Sequence, residues 1–250
     1  MISRYSERTW SDLMAKKFYE QDIKELILNK RHVFIKDKST KSIVLFEKSI
    51  DIGSCIADCL IFTENELIGV EIKTERDSTK RLNNQLKSYS TICDRVYVLV
   101  HDKHVEKTEE ILERNGHGHV GIVSYTEFRE EPVVGIYKES YKSPKKNVYT
   151  MYHSLLWKDE VNQLLGSMKR QVATLEEFGY NVSTADSRNE KGLNGLLVQS
   201  MASKRLRKGD MIKMIIGRLG ETKSNSLLCN IYINKKLHIE KNLRYYHFKN

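Results

Sequence analysis

The fold is set by residues 56–73, which read IADCLIFTENELIGVEIK. Two apolar runs, Cys55–Thr63 and Leu67–Lys73, have the length of β-strands, and Glu64-Asn65 between them is short enough for a tight turn. The first run is apolar on both faces, which is typical of a strand in the middle of a sheet. This stretch therefore predicts two neighbouring antiparallel strands near the centre of a sheet.

Three charged residues, Asp58, Glu71 and Lys73, interrupt these apolar strands. Residues two apart in a strand share a face, so Glu71 and Lys73 project together. A turn at Glu64-Asn65 places position 58 opposite about position 71. Two carboxylates that converge in this way repel each other unless a cation lies between them. The pattern therefore predicts a divalent metal site.

Oxygen ligands favour Mg²⁺ or Mn²⁺ over Zn²⁺. With Asp58 and Glu71 as ligands, the metal would polarise a phosphoryl oxygen and lower the pKa of a bound water. Lys73 would orient that water or offset charge in the transition state. We therefore expect a metal-dependent nuclease that hydrolyses phosphodiester bonds. The alternative is an ordinary carboxylate–lysine pair at a strand end, because E-x-K spacing alone is common.

Hydrophobic periodicity predicts further helices and strands on both sides of this pair. In chain order they are a helix over 6–29, a strand over 43–47, the two strands above, a helix over 77–93, a strand over 95–101, a helix over 105–115 and a strand over 120–125. This αβββαβαβ order predicts an α/β fold, a mixed sheet with flanking helices.

The sequence resembles the PD-(D/E)XK nuclease superfamily, whose restriction-endonuclease-like core is a helix, a three-stranded meander, a second helix and another strand. Its two acids correspond to Asp58 and Glu71, and its lysine corresponds to Lys73. A Gln and a Tyr often follow on the second helix, as Gln85 and Tyr89 do here, one helical turn apart.

The likeness is closer to an uncharacterised bacterial and phage branch, which has a Gly-x-Glu-Ile-Lys-Ser-Asp-x-Asp-Ser/Thr stretch. Here Gly69–Ser78 reads GVEIKTERDS, and Leu156–Glu160 reads LWKDE as in a later motif of that branch. The resemblance implies Glu47 as a further metal ligand and Gln85 as a catalytic residue. It also suggests DNA contacts for Arg81 and Tyr89, although Arg81 equally suits a solvated helix face.

Two departures concern the first motif. The branch usually has an Arg where this chain has Ile56, and Ala57 replaces the proline before the acid. The resemblance covers roughly residues 10–215 and is strongest over 47–100.

A basic, proline-containing stretch over 142–147, KSPKKN, predicts a boundary between a nuclease-like core at 1–141 and a C-terminal region at 148–250. We expect that region to be mostly helical. Its predicted elements are helices over 149–165, 193–205 and 210–219, a polar loop over 181–192, and a terminal hairpin formed by 227–233 and 237–246.

The formal net charge is +9, and most of it lies in this C-terminal region. Residues 1–150 carry 25 Lys and Arg against 24 Asp and Glu, whereas residues 151–250 carry 17 against 9. Such an excess suits a polyanion, and we expect the partner to be DNA. The densest basic cluster supplies the candidate DNA contacts Lys204, Arg205, Arg207 and Lys208. Ordinary solubilising charge is the alternative interpretation.

No apolar run has the length of a membrane span, the start has no apolar signal segment, and the four cysteines have no metal-ligand spacing. These features favour a cytoplasmic protein without membrane contact. A homodimer would let two sites cut two strands. Two other functions stay open from the sequence: a catalytically silent DNA-binding accessory protein, and a phage factor that acts on a host enzyme.

Overall fold

The protein has an α/β fold in which helices pack on both faces of one mixed sheet. The computed structural model describes residues 18–37, 39–50, 55–129, 131–170, 206–234 and 245–248. In chain order its elements are α1 (Glu20–Asn29), β1 (Ser42–Ser49), β2 (Ile56–Thr63), β3 (Leu67–Lys73), α2 (Leu82–Ile92), β4 (Arg95–His101), α3 (Val105–Arg114), β5 (Gly121–Phe128), β6 (Glu131–Lys138), α4 (Val148–Leu155), α5 (Lys158–Arg170), α6 (Lys208–Leu219), α7 (Glu221–Asn234) and β7 (Tyr245–Phe248). The predicted mixed sheet with flanking helices is confirmed.

The seven strands lie in the order β6-β5-β4-β3-β2-β1-β7. Strands β1, β2 and β3 form an antiparallel meander, and β3, β4 and β5 run parallel to one another. Helices α2 and α3 make the crossovers that parallel neighbours require. The predicted αβββαβαβ order agrees with the observed order from α1 to β5.

Each face of the sheet buries its own hydrophobic core. On one face, α2 packs on β3 and β4 and α7 packs on β1 and β2, while α4 and α6 pack against these helices. Residues such as Leu45, Leu60, Leu86, Met151 and Leu228 form this core. On the other face, α1 covers the sheet with Ile23, Leu26 and Ile27. Because strands β2 to β4 are covered on both sides, they read as nearly continuous apolar runs.

The C-terminal helices belong to the same core as the sheet. Tyr232 of α7 stacks on Phe62 of β2 with ring centroids 4.2 Å apart, and its hydroxyl donates to the Leu155 carbonyl at 2.7 Å. The strand predicted over 227–233 is therefore wrong. Its Leu and Ile residues recur with helical spacing, since Leu227, Leu228, Ile231 and Tyr232 are all buried on one side.

Two further expectations need correction. The helix predicted over 149–165 is two helices, because the backbone turns at Leu156-Trp157 and the Glu160 carboxylate accepts the Trp157 N–H at 2.6 Å to begin α5. Strand β6 was not predicted. It is an edge strand with Pro132 and Gly135 and with exposed residues on both faces, so it lacks the usual hydrophobic alternation.

The final strand also differs from expectation. Instead of closing a terminal hairpin, β7 pairs with β1 and extends the main sheet. The polar loop over 181–192 and the helix over 193–205 lie outside the described residues, as does most of 237–246 and the start of the helix predicted over 6–29. The division into 1–141 and 148–250 stays a prediction.

The stretch over 142–147 is bonded to the turn between α2 and β4. Asp94 in this turn accepts hydrogen bonds from the Leu67 N–H at 2.8 Å and from Lys146, and the Ser143 N–H donates to the Asp94 carbonyl at 2.8 Å. Asn225 of α7 also donates to Asp94, at 3.4 Å. Asp94 thus ties β3, the basic stretch and a C-terminal helix together. No described helix is long and apolar enough to cross a membrane.

Gly69 in β3 is required by a close approach from α2. A Cβ atom at this position would lie 2.3 Å from Cδ1 of Tyr89 and 2.9 Å from Sγ of Cys93. The absence of a side chain at Gly69 lets the Tyr89 ring lie flat against the strand. This contact sets how closely α2 packs beside the Glu71 end of β3.

We expect Gly69→Ala to lower the free energy of unfolding by about 1–3 kcal/mol, because the ring of Tyr89 must move away from β3. Chemical denaturation monitored by circular dichroism measures this loss. Gly135→Ala is the matched control, since a Cβ at this strand position meets no atom within 4 Å. An equal loss in the two variants would contradict the packing role of Gly69.

Candidate active site

The register of the sheet brings Asp58 and Glu71 together. Cys59 pairs with Val70, so Asp58 and Glu71 are the next residues along the two strands. The Asp58 side chain reaches across the pair, where its Oδ2 accepts the Ile72 N–H at 2.9 Å. The predicted proximity of the two carboxylates is thus present at the sheet end where β1 and β3 finish and β2 starts.

Glu71 is fully buried, with 0% of its surface exposed. Its Oε1 accepts a hydrogen bond from the Lys73 ammonium, whereas its Oε2 has no hydrogen-bond partner among the described residues. Burial and the negative charge of Asp58 together raise the pKa of Glu71 to about 7, against the opposing effect of Lys73. A buried carboxylate with one unused oxygen is a costly arrangement that a bound cation would relieve.

Lys73 lies between Glu71 and the second helix. Its Nζ donates to Glu71 and also to Oε1 of Gln85 on α2, at 3.2 Å. With 6% of its surface exposed, Lys73 has little freedom to move. Glu71, Lys73 and Gln85, which the sequence assigned to one site, therefore form one hydrogen-bonded chain.

The side chain of Tyr89 lies in the protein interior and not at the surface, where the expected DNA contact requires it. Its side chain is fully buried, and its hydroxyl accepts the Asp58 N–H at 2.8 Å while donating to the Val70 carbonyl at 3.4 Å. The expected contact between Tyr89 and DNA is therefore wrong for this structure, because no part of the ring reaches the surface. Tyr89 instead fixes the backbone at Asp58 relative to β3.

Asp58 is half-buried, so it is the more accessible of the two carboxylates. Burial raises the pKa of Asp58, while the hydrogen bond from Ile72 and the charge of Lys73 lower it. The charge of Glu20 on α1 raises this pKa again, so the α1 carboxylate is close enough to act on Asp58.

Glu47 lies beside Asp58 in the sheet, because its neighbours Phe46 and Lys48 pair with Cys59 and Ala57. Its backbone is in the left-handed region, with φ at 58°, which is unusual for a residue other than glycine. Its carboxylate accepts a hydrogen bond from Nζ of Lys24 at 2.5 Å. The residue predicted as a third metal ligand is therefore near the site but bound to a lysine.

Lys24, whose ammonium also binds Glu20 at 2.8 Å, was not among the site residues predicted from the sequence. The signal available was the spacing of Glu20 and Lys24, four residues apart on the first helix. Such pairs are frequent on helix surfaces, and nothing in the sequence connects this one to Glu47.

Comparison with known proteins identifies a family for the chain. The family described as bacteriophage P4 protein cII matches residues 14–239. The chain belongs to this family. The match runs through both the carboxylate pair and the C-terminal helices. Among curated proteins and among solved structures, no match was found.

The basic residues predicted to contact DNA in this P4 cII family member lie at different depths. Arg81 is exposed in the turn that precedes α2, and Arg207 is exposed just before α6. Lys208 is half-buried and donates to the His153 carbonyl at 2.6 Å, so its ammonium is partly engaged inside the protein. Lys204 and Arg205 lie outside the described residues.

Lys208 is connected to the site end of the sheet. Burial lowers the pKa of Lys208, Glu160 raises it, and the positive charge of Lys48 lowers it. Lys48 follows Glu47 in β1 and pairs with Ala57, the residue before Asp58. Lys208 of α6 is therefore close enough to Lys48 for the two positive charges to act on each other.

The described part of the chain contains no group of three or more His, Cys, Asp or Glu side chains placed to hold a metal ion. What the site offers is a pair, Asp58 and Glu71, with one buried oxygen unused. Mg²⁺ in proteins commonly uses one or two carboxylates and keeps several waters, so a pair is a sufficient protein contribution.

We expect Glu71→Gln to stabilise the metal-free protein at pH 8. Since the pKa of folded Glu71 is about 7 and its ordinary value is 4.5, folding favours the protonated form. Stability of the wild type should therefore fall as pH rises from 4.5 through 7, and the variant should lack the part of this fall that Glu71 causes.

Urea denaturation in EDTA at several pH values measures the difference, which should be about 1–3 kcal/mol at pH 8 and close to zero below pH 4.5. Glu113→Gln, an exposed change on α3, is the control. A difference that does not depend on pH would contradict a raised pKa.

Proposed function

We propose that this protein is a divalent-metal-dependent nuclease that hydrolyses the phosphodiester bonds of DNA. One observation carries the proposal: the fully buried Glu71 lies next to Asp58, and its Oε2 has no hydrogen-bond partner among the described residues. A buried carboxylate pair is stable when a cation shares it. The adjacent ammonium of Lys73 occupies only the other oxygen of Glu71.

The arrangement of elements supports assignment to the PD-(D/E)XK superfamily. From α1 to β4 the chain forms a helix, an antiparallel meander, a second helix and a strand parallel to β3. This is the order expected of a restriction-endonuclease-like core. Asp58, Glu71 and Lys73 lie at the strand positions that the resemblance requires, and Gln85 faces Lys73 from the second helix.

A divalent metal fits the residues present. Asp58 and Glu71 would hold Mg²⁺ or Mn²⁺ through hard oxygen donors, which these ions prefer. When bound, the ion would polarise a phosphoryl oxygen and lower the pKa of a coordinated water. Glu47 lies beside Asp58, and its Oε1 is already bound to Lys24 at 2.5 Å.

The protein's own groups supply orientation and positive charge. Glu71 and Gln85 hold the Lys73 ammonium in one position, where it would stabilise negative charge on a phosphate oxygen without reorganising. Tyr89 holds the Asp58 backbone, and Ile72 holds the Asp58 carboxylate. These contacts keep the charged groups in place before substrate arrives.

DNA is the substrate favoured by the charge of the chain, +9 overall. Lys48 and Lys208 lie on the side of α6, and Arg81 is exposed at the start of the second helix. The exposed Arg81 would bind the phosphates of a strand that crosses the carboxylate pair, whereas Lys48 is buried and Lys208 is half-buried. A homodimer, which would allow both strands of a duplex to be cut, stays a prediction.

Cleavage assays test the proposal directly. Single-stranded, double-stranded and branched DNA would be incubated with Mg²⁺, Mn²⁺ or EDTA and with wild type, Glu71→Gln or Lys73→Met. We expect metal-dependent cutting that each substitution lowers by at least about 100-fold. Glu113→Gln and Lys107→Met, both exposed on α3, are the matched controls and should cut as wild type does.

The other outcomes identify a different function. DNA binding without cleavage, equal in wild type and Glu71→Gln, would replace the nuclease with a catalytically silent DNA-binding protein. Neither cleavage nor salt-sensitive DNA binding would leave a protein-interaction factor built on this fold.

A further inference from the structure

The acids around the site fall into two groups that differ in how they are neutralised. Glu71 retains a buried oxygen without a hydrogen-bond partner among the described residues. Glu20 and Glu47, in contrast, both bind the ammonium of Lys24, at 2.8 and 2.5 Å. Each pair of acids contains one ammonium. Lys73 binds only Glu71 and leaves its Oε2 without a partner among the described residues, whereas Lys24 bridges both acids of its pair.

The ammonium of Lys24 is held in place from several directions. Its side chain is only 11% exposed, and Nζ lies 5.7 Å from the centre of the Phe46 ring. The helix α1 that carries it is anchored on the sheet by Ile23 and Ile27, which are buried on either side of Lys24 in the sequence. Lys24 is therefore a fixed charge and not a mobile surface lysine.

The two acids that bind this ammonium lie on the Asp58 side of the carboxylate pair. Glu47 lies beside Asp58 in the β1–β2 register, and its left-handed backbone interrupts the regular strand at this point. Glu20 acts on Asp58 through its charge, which is one cause of the raised pKa of Asp58. A left-handed residue that is not glycine is retained where the surrounding structure requires it.

We propose that Lys24 is the built-in cation of the Glu20–Glu47 pair, and that it limits the site to one divalent ion, bound by Asp58 and Glu71. The first part concerns only contacts present in the structure, and the second part rests on the proposed function. The ammonium bridges Oε1 of Glu20 and Oε1 of Glu47, and its positive charge repels a divalent ion brought close to it.

Glu47 then has a role other than that of a metal ligand. By holding Lys24 beside the site, Glu47 is a positioning residue. Its loss would leave the donors of the divalent ion, Asp58 and Glu71, unchanged.

Mn²⁺ binding tests this inference without reference to cleavage. Titration calorimetry, with electron paramagnetic resonance to count free Mn²⁺, gives the number of ions per chain and their affinity. The proteins are the full-length wild type, Lys24→Met, Lys24→Arg and Glu47→Gln. Methionine removes the charge but keeps a side chain of similar length, and arginine keeps the charge. Lys30→Met, an exposed change just after α1, is the control.

We expect one ion in wild type, Lys24→Arg and Lys30→Met, and a second ion in Lys24→Met. The second ion should disappear when Glu47→Gln is added to Lys24→Met. Glu47→Gln alone should keep the wild-type affinity within about threefold, because Glu47 is not a ligand. This last variant retains Lys24 and tests the inference even if Lys24→Met does not fold.

The outcomes separate this inference from the proposed function. An equal number of ions in wild type and Lys24→Met would overturn the inference, as would a loss of affinity above about tenfold in Glu47→Gln alone. No ion in wild type but one in Lys24→Met would support the role of Lys24 and reject the metal site on Asp58 and Glu71. No ion in any protein would reject both.

Discussion

The pairing of β2 with β3 in one register places two carboxylates side by side, and the rest of the site is arranged around that constraint. Ile72 supports the Asp58 carboxylate, and Lys73 binds one oxygen of Glu71. The second helix then holds both strands from one side through Gln85 and Tyr89. Burial makes the arrangement costly in the absence of a cation, as the pKa of Glu71 near 7 indicates. The fold thus keeps the carboxylates of Asp58 and Glu71 together although this lowers the stability of the protein. Such a cost is typical of a functional site.

Hydrophobic packing in the rest of the protein offsets the cost of the carboxylate pair. The sheet is covered on both faces, and the C-terminal helices add a large part of one core. Asp94 connects that part to the site strand, because it accepts the N–H of Leu67 at the start of β3 and binds Lys146 and Asn225. The P4 cII family match over 14–239 includes both regions, in agreement with a C-terminal part that packs against the strands which carry the site.

Several parts of the structure followed from the sequence alone. Strands β2 to β4 are long apolar runs, so they could be predicted to be strands. Charged residues interrupt β2 and β3, and their positions predicted that Asp58 lies close to Glu71. The alternation of helices and strands from α1 to β5 could also be predicted, because the hydrophobic periods of helices and strands differ. The helix over 227–233 could not be predicted from the sequence, because its Leu and Ile residues suit a strand as well as a helix. Only the packing on Phe62 decides between the two. The edge strand β6 carries no clear pattern because neither of its faces is fully buried.

The sequence by itself determined which residue types share a strand face: Glu71 with Lys73 in β3, and Asp58 opposite them across a short turn. It did so because strand periodicity and a two-residue connection leave little freedom of register. Tertiary structure alone decided what each side chain contacts. It buried Tyr89 against Gly69, it bound Glu47 to Lys24, and it brought α1 to the edge of the site. These contacts join residues 20 or more positions apart, so they depend on how helices pack on the sheet and not on local spacing.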